Sequence, residues 1–141
     1  MKKIIGNPWL IELPRMVLGI FVVLNIIAML SYPGGTFLDD ATVGYSFTRN
    51  FLSDLGRTLS YPGEVNFISS QLFNMALILS GVVFANFYIH VRKIFTADNQ
   101  RTLALIGSFF GVLGGLSLVG VGLTPADLYL DLHIICANWL F

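Results

Sequence analysis

Three long stretches without Lys, Arg, Asp or Glu constrain this chain of 141 residues: 23 residues over 16–38, 27 over 65–91 and 25 over 102–126. Each exceeds the roughly 20 apolar residues that cross a bilayer. The ionisable residues fall at the ends of these stretches, the pattern of an integral membrane protein. Hydrophobic residues make up 55%, charged residues 11%, and mean hydropathy is +0.77; soluble domains carry about 25% charged residues. A formal net charge of zero argues against a nucleic-acid partner. The lone Cys136 excludes an internal disulfide and a cysteine-based metal site within one chain, and reads as a small packing residue.

Spans are predicted at about 15–31, 66–90 and 102–123, with an incomplete fourth over 129–141. The predicted fold is an all-α integral membrane bundle of three complete transmembrane helices plus the start of a fourth. Ten uncharged residues from Leu132 onward cover only about 15 Å, half the hydrocarbon thickness. Backbone carbonyls left there in lipid would lack partners. The expectation is therefore an N-terminal portion of a longer protein. Lys2 and Lys3 precede an apolar stretch, but the segment between is long and 28–30 is a poor cleavage sequence, so the first span reads as an uncleaved anchor.

Basic residues set the orientation. Lys2, Lys3, Arg15, Arg92, Lys93 and Arg101 fall on one side and Arg49 and Arg57 on the other. Six against two predicts a cytoplasmic N-terminus in the cell membrane and a 32–65 loop outside.

With that topology the polar residues gather on the outer side. Asn50, Ser53, Asp54 and Arg57 come from the loop, Ser70 and Asn74 from the second span, and Asp127, Asp131 and His133 from the start of the fourth. Polar groups at membrane depth usually face the bundle interior, so these nine define a candidate outer pocket. Within the loop, Phe47, Phe51 and Leu55 recur at helical spacing and Gly56 stands where a C-cap glycine would. That spacing predicts a short amphipathic interfacial helix at about 46–55, either closing the bundle top or acting as a lid that presents Asp54 and Arg57. Asp54 at its end would meet the negative pole of the macrodipole, so a compensating partner, either Arg57 or the start of the fourth span, is expected.

Gly107, Gly111 and Gly115 repeat every four residues in the third span and predict a close-packing face, internal or toward a second copy. His90 and His133 fall at opposite ends of their spans, roughly 20–30 Å apart, which excludes one haem held by both. No cofactor is predicted. His133, two residues after Asp131, reads either as a hydrogen-bonded structural residue or as part of the site.

The segment Asn50-Phe51-Leu52-Ser53-Asp54-Leu55-Gly56, followed by Phe67, Phe73-Asn74, a glycine-rich third span and His133, resembles a known membrane-protein family. That family is the one called domain of unknown function 998, similar to the Frag1/DRAM/Sfk1 group. The resemblance covers about 44–141 and implies about six spans, with lipid-linked or regulatory roles by analogy and no established reaction.

Three functions compete. The first is a non-enzymatic membrane protein whose outer pocket binds a lipid headgroup or a partner protein. The second is a metal-dependent lipid hydrolase using His133 with Asp54, Asp127 and Asp131, although a catalytic zinc normally takes three protein ligands and this donor set gives no confident metal site. The third is a small-solute transporter, for which only Asn25 and Asn74 approach the midplane. The partners expected are membrane lipids, a second copy of the chain or another membrane protein.

Overall fold

The computed structural model describes residues 7–95 and 97–140, apart from the side chains of Asp98 and Asn99. Lys2 and Lys3 of the orientation argument and Phe141 of the fourth span lie outside the described residues. The apolar runs are helical: α1 (Glu12–Ser31), α2 (Phe67–Val91), α3 (Asp98–Leu123) and the short α4 (Leu130–Asn138). A 3-10 turn, Arg92–Ile94, extends α2. Segments Glu12–Ser31, Phe67–Ile94 and Gln100–Leu123 are long and apolar enough to cross a membrane. Only 17%, 33% and 22% of their apolar windows are buried within the chain. Most of that surface, including Leu30 and Leu103, faces outward and needs lipid or other protein to cover it.

α2 is the central helix. It packs against α1 on one side and α3 on the other, and α3 carries α4. The α2–α3 contact is close because small residues line it. A Cβ on Gly115 would lie 2.7 Å from the Ala85 backbone nitrogen, and one on Gly122 would lie 2.8 Å from the Asn74 carbonyl. A Cβ on Gly111 would overlap the Tyr88 ring. Of the three glycines of the predicted face, Gly111 and Gly115 pack within the chain and Gly107 has open space beside it. The partner stripe on α2, Gly81 and Ala85, was not anticipated.

The 32–66 connection corrects the all-α expectation. Gly34–Thr36 (β1) and Asp39–Val43 (β2) form an antiparallel hairpin. Gly34 and Gly35 have φ of 144° and 79°, values that favour glycine. The predicted helix over 46–55 is also absent as such: 47–50 is a turn and a 3-10 helix covers Leu52–Gly56. The cause is competition from side chains. Asn50 Oδ1 accepts the Ser46 N–H at 2.9 Å and Asp54 Oδ2 accepts the Phe51 N–H at 2.9 Å, capping the chain where an α-helix would have continued.

The buried core lies beneath this connection. Ala28, Tyr32, Leu55, Phe73, Leu77 and Val121 form one cluster, and Leu55 is fully buried. Burying such a leucine contributes about 1.5–3 kcal/mol, which anchors the 3-10 helix on the bundle.

Candidate functional site

The candidate outer residues assemble into a hydrogen-bonded cap over the end of the bundle. Its centre is Asp54, which is 3% exposed. Oδ2 accepts from Asn50 Nδ2 at 3.0 Å and from the Phe51 N–H, and Oδ1 accepts from Tyr61 Oη at 3.0 Å. Three donors compensate the desolvation of a buried carboxylate without a counter-ion. The expected Asp54–Arg57 pair is therefore corrected. Arg57 lies over the Tyr61 ring, 4.3 Å from its centroid, and its Nε donates to the Leu59 carbonyl at 3.2 Å. Arg57 thus touches the aromatic ring whose hydroxyl donates to Asp54.

The end of the 3-10 helix leaves carbonyls without backbone partners, and the first turns of α2 satisfy them. Asn66 Nδ2 donates to the Leu55 and Arg57 carbonyls, and Ser69 Oγ to Leu55. Ser70 Oγ and Asn74 Nδ2 both donate to the Gly56 carbonyl, at 3.0 and 3.2 Å. Gly56 is not a left-handed cap glycine, since its φ is not positive. It is small because a Cβ there would lie 2.7 Å from both Asn74 and Phe73.

Asp127 fastens the opposite edge. Its carboxylate takes the Thr58 N–H and hydroxyl and the Leu59 N–H, which ties the α3–α4 turn to the cap. Burial acts to raise its pKa, and these donors outweigh burial and hold the carboxyl below the usual aspartate range. His133 is buried, with Nδ1 2.7 Å from the Thr124 carbonyl. A carbonyl only accepts, so Nδ1 carries a proton and the ring fastens α4 to the end of α3.

Two of the nine candidates stand apart. Asp131 is exposed and takes part in none of these hydrogen bonds, and neither does the half-buried Ser53. Among the described residues no three His, Cys, Asp or Glu side chains converge as a metal site would require. Asn66 and Ser69, at the outer start of the second span, join the cluster beside the nine candidates, and Tyr61 and Tyr32 belong to it without any sequence-based expectation. The Tyr61-Pro62-Gly63 turn was the available signal, because Pro-Gly folds the chain back and returns the tyrosine to the cap. Gly35 permits that return: a Cβ there would overlap Pro62 and approach Tyr61 Cβ to 2.9 Å. Burial and the Asp54 charge push the Tyr61 phenol up to about 12 and raise Tyr32 and Tyr45 as well, so all three stay protonated. Tyr32 Oη, Ser60 Oγ and Asn66 Oδ1 are buried with no partner among the described residues.

Contacts at the two ends sort the connections into two groups. Trp9 stacks on His90 with centroids 5.9 Å apart, joining the N-terminal segment to the α2–α3 end. Asp127 joins the α3–α4 turn to the 32–66 cap at the other. The fold joins three helices long and apolar enough to cross a membrane to a hydrogen-bonded cap built from the 32–66 connection. No family model, no curated protein and no solved structure matches the chain.

Proposed function

We propose that this chain is a binding rather than a catalytic element of an integral cell-membrane protein, with its N-terminus cytoplasmic and its cap outside, engaging a lipid headgroup or a partner protein. One observation carries the reading. The two acids at the centre and edge of the cap, Asp54 and Asp127, are occupied by structural donors, whereas its large apolar side chains are exposed. Asp54 and Asp127 each accept three or more hydrogen bonds from the chain itself. Phe37, Leu38, Val43 and Phe47 are 70%, 91%, 94% and 81% exposed. A rigid cap with an apolar rim is suited to contact at the membrane interface, where aromatic residues concentrate.

The hydrolase reading has less support, because a metal at Asp54 or Asp127 would have to displace the donors that hold the cap together. The transporter reading keeps little polarity at depth: Asn74 donates to Gly56 and Asn25 Nδ2 to the Phe21 carbonyl of its own helix, which leaves Asn25 Oδ1 as a buried acceptor without a partner among the described residues. The orientation rests on the excess of basic residues at the N-terminal and α2–α3 end.

The test is a photo-activatable phenylalanine analogue placed at Phe37 or Phe47 in intact membranes. Cross-links to lipid support headgroup contact, and cross-links to one discrete protein band support a partner. Cross-linking to neither, with free access of a water-soluble quencher, would overturn the proposal.

A further inference from the structure

At the opposite end of the bundle, two adjoining cavities combine positive charge with apolar depth. One, of about 490 Å3, is lined by Arg92, Lys93, Phe95, Arg101 and Leu105. The other, of about 730 Å3, is lined by apolar side chains including Ile89, Ile106, Phe109 and Val112. Arg92 and Leu105 line both, so the basic mouth meets the groove at these two residues. We propose that this end holds one anionic glycerophospholipid, its phosphate at Arg92, Lys93 and Arg101 and an acyl chain in the groove between α2 and α3.

Three features select that occupant. The 92–101 turn carries three basic residues and one acid, Asp98, so its formal charge is +2. Guanidinium groups present paired donors that match a phosphate. The groove follows the membrane-spanning part of α3 from Leu105 to Val112. At 1.5 Å per residue that is about 10 Å, within the roughly 15 Å depth of one leaflet's hydrocarbon. Its mouth therefore meets headgroups and its length meets acyl chains. Basic pockets between transmembrane helices at a leaflet surface bind anionic headgroups in this way. The site is separate from the cap and stands whether or not the cap binds anything.

The purified chain in detergent would be titrated with phosphatidylglycerol, with phosphatidylcholine of the same acyl chains, and with inorganic phosphate, reading bound lipid by native mass spectrometry and stability by thermal unfolding. Phosphatidylglycerol is expected to bind at least ten-fold more tightly than phosphatidylcholine. Arg92→Gln, Lys93→Gln and Arg101→Gln are each expected to reduce that preference about five-fold. All three side chains are exposed, so the variants should fold, and Arg101→Gln carries the test if a combination does not. Val112→Trp, which fills the groove, should weaken both lipids. Equal binding of the two lipids, an undiminished preference in the Gln variants, or inorganic phosphate binding as tightly as the lipid would each overturn the proposal.

Discussion

Asp127 reaches back across 69 positions to Thr58, accepting its backbone N–H at 3.0 Å and its hydroxyl as well. This contact fixes the turn after α3 against the loop after α1, so elements distant in sequence share one end of the bundle. Replacing it with Asn keeps the shape but presents an NH2 to donors. Asp127→Asn is expected to cost about 1–2 kcal/mol in detergent, at the low end for bonds to a charged acceptor because the group is partly exposed. The carboxyl is held below the ordinary range, so its contribution is complete above about pH 4 and disappears as pH falls through the lowered value. The melting-temperature gap between wild type and Asp127→Asn should be constant at mild pH and close in acid. A gap that widened in acid would refute this account.

Asp54 should be coupled to Tyr61 more strongly than to Arg57. Asp54→Asn keeps one acceptor oxygen but turns an NH2 toward part of the three donors and removes the charge, and is expected to cost about 2–4 kcal/mol. Arg57→Gln loses the Tyr61 ring contact and an exposed hydrogen bond to the Leu59 carbonyl, and should cost under about 1 kcal/mol. In double-mutant cycles the Asp54→Asn/Tyr61→Phe pair should give a coupling above about 0.5 kcal/mol, and the Asp54→Asn/Arg57→Gln pair a smaller one. The reverse order would restore a direct ion pair.

Tyr61 supplies an alkaline counterpart. Its folded phenol is pushed up to about 12, so the fold favours the protonated form. The stability from its hydrogen bond is full below about pH 10 and lost as pH rises from there toward that raised value. Wild type should exceed Tyr61→Phe at neutral pH, and the difference should shrink across that window in thermal unfolding.

The glycines of α3 should separate cleanly. Gly115→Ala drives a methyl into the Ala85 backbone, which has no side-chain freedom to yield, and overpacking there should cost about 1–3 kcal/mol or more. Gly111→Ala meets Cγ of Tyr88, the root of the ring, which turning the ring leaves in place, so its cost should match that of Gly115→Ala. Gly107→Leu meets open space and should stay within about 0.5 kcal/mol. Equal losses at all three positions would mean that Gly107 also packs, against something outside this chain.

The helices were legible because lipid imposes one simple demand, about 20 apolar residues in a row, and 66–90 and 102–123 agree closely with α2 and α3. Segment 45–57 was misread for a physical reason. Phe47, Phe51 and Leu55 have helical spacing, but Asn50 and Asp54 bind nearby backbone groups and divert the chain into a turn and a 3-10 helix. The hairpin over 34–43 carries no alternating apolar pattern, only two glycines at its start. Polarity singled out Asp54, Ser70, Asn74, Asp127 and His133, and the structure places them at one end of the bundle. Their partners are mostly backbone carbonyls and N–H groups, which every residue has and which no sequence pattern singles out.

The remaining prediction concerns sidedness, on which the location of both cap and basic cavity depends. Thr36 is buried and would be a poor labelling position, whereas Thr48 and Ala97 are exposed at opposite ends of the bundle. In a Cys136→Ala background, a cysteine at Thr48 should react with a membrane-impermeant maleimide on intact cells. A cysteine at Ala97 should react only after permeabilisation. The basis is the six-to-two excess of Lys and Arg at the N-terminal and α2–α3 end. Trp9 on His90 keeps the N-terminal segment with that end, so one result fixes both. Labelling of Ala97 but not Thr48 on intact cells would invert the protein. The cap would then face the cytoplasm, and the basic cavity would meet the outer leaflet.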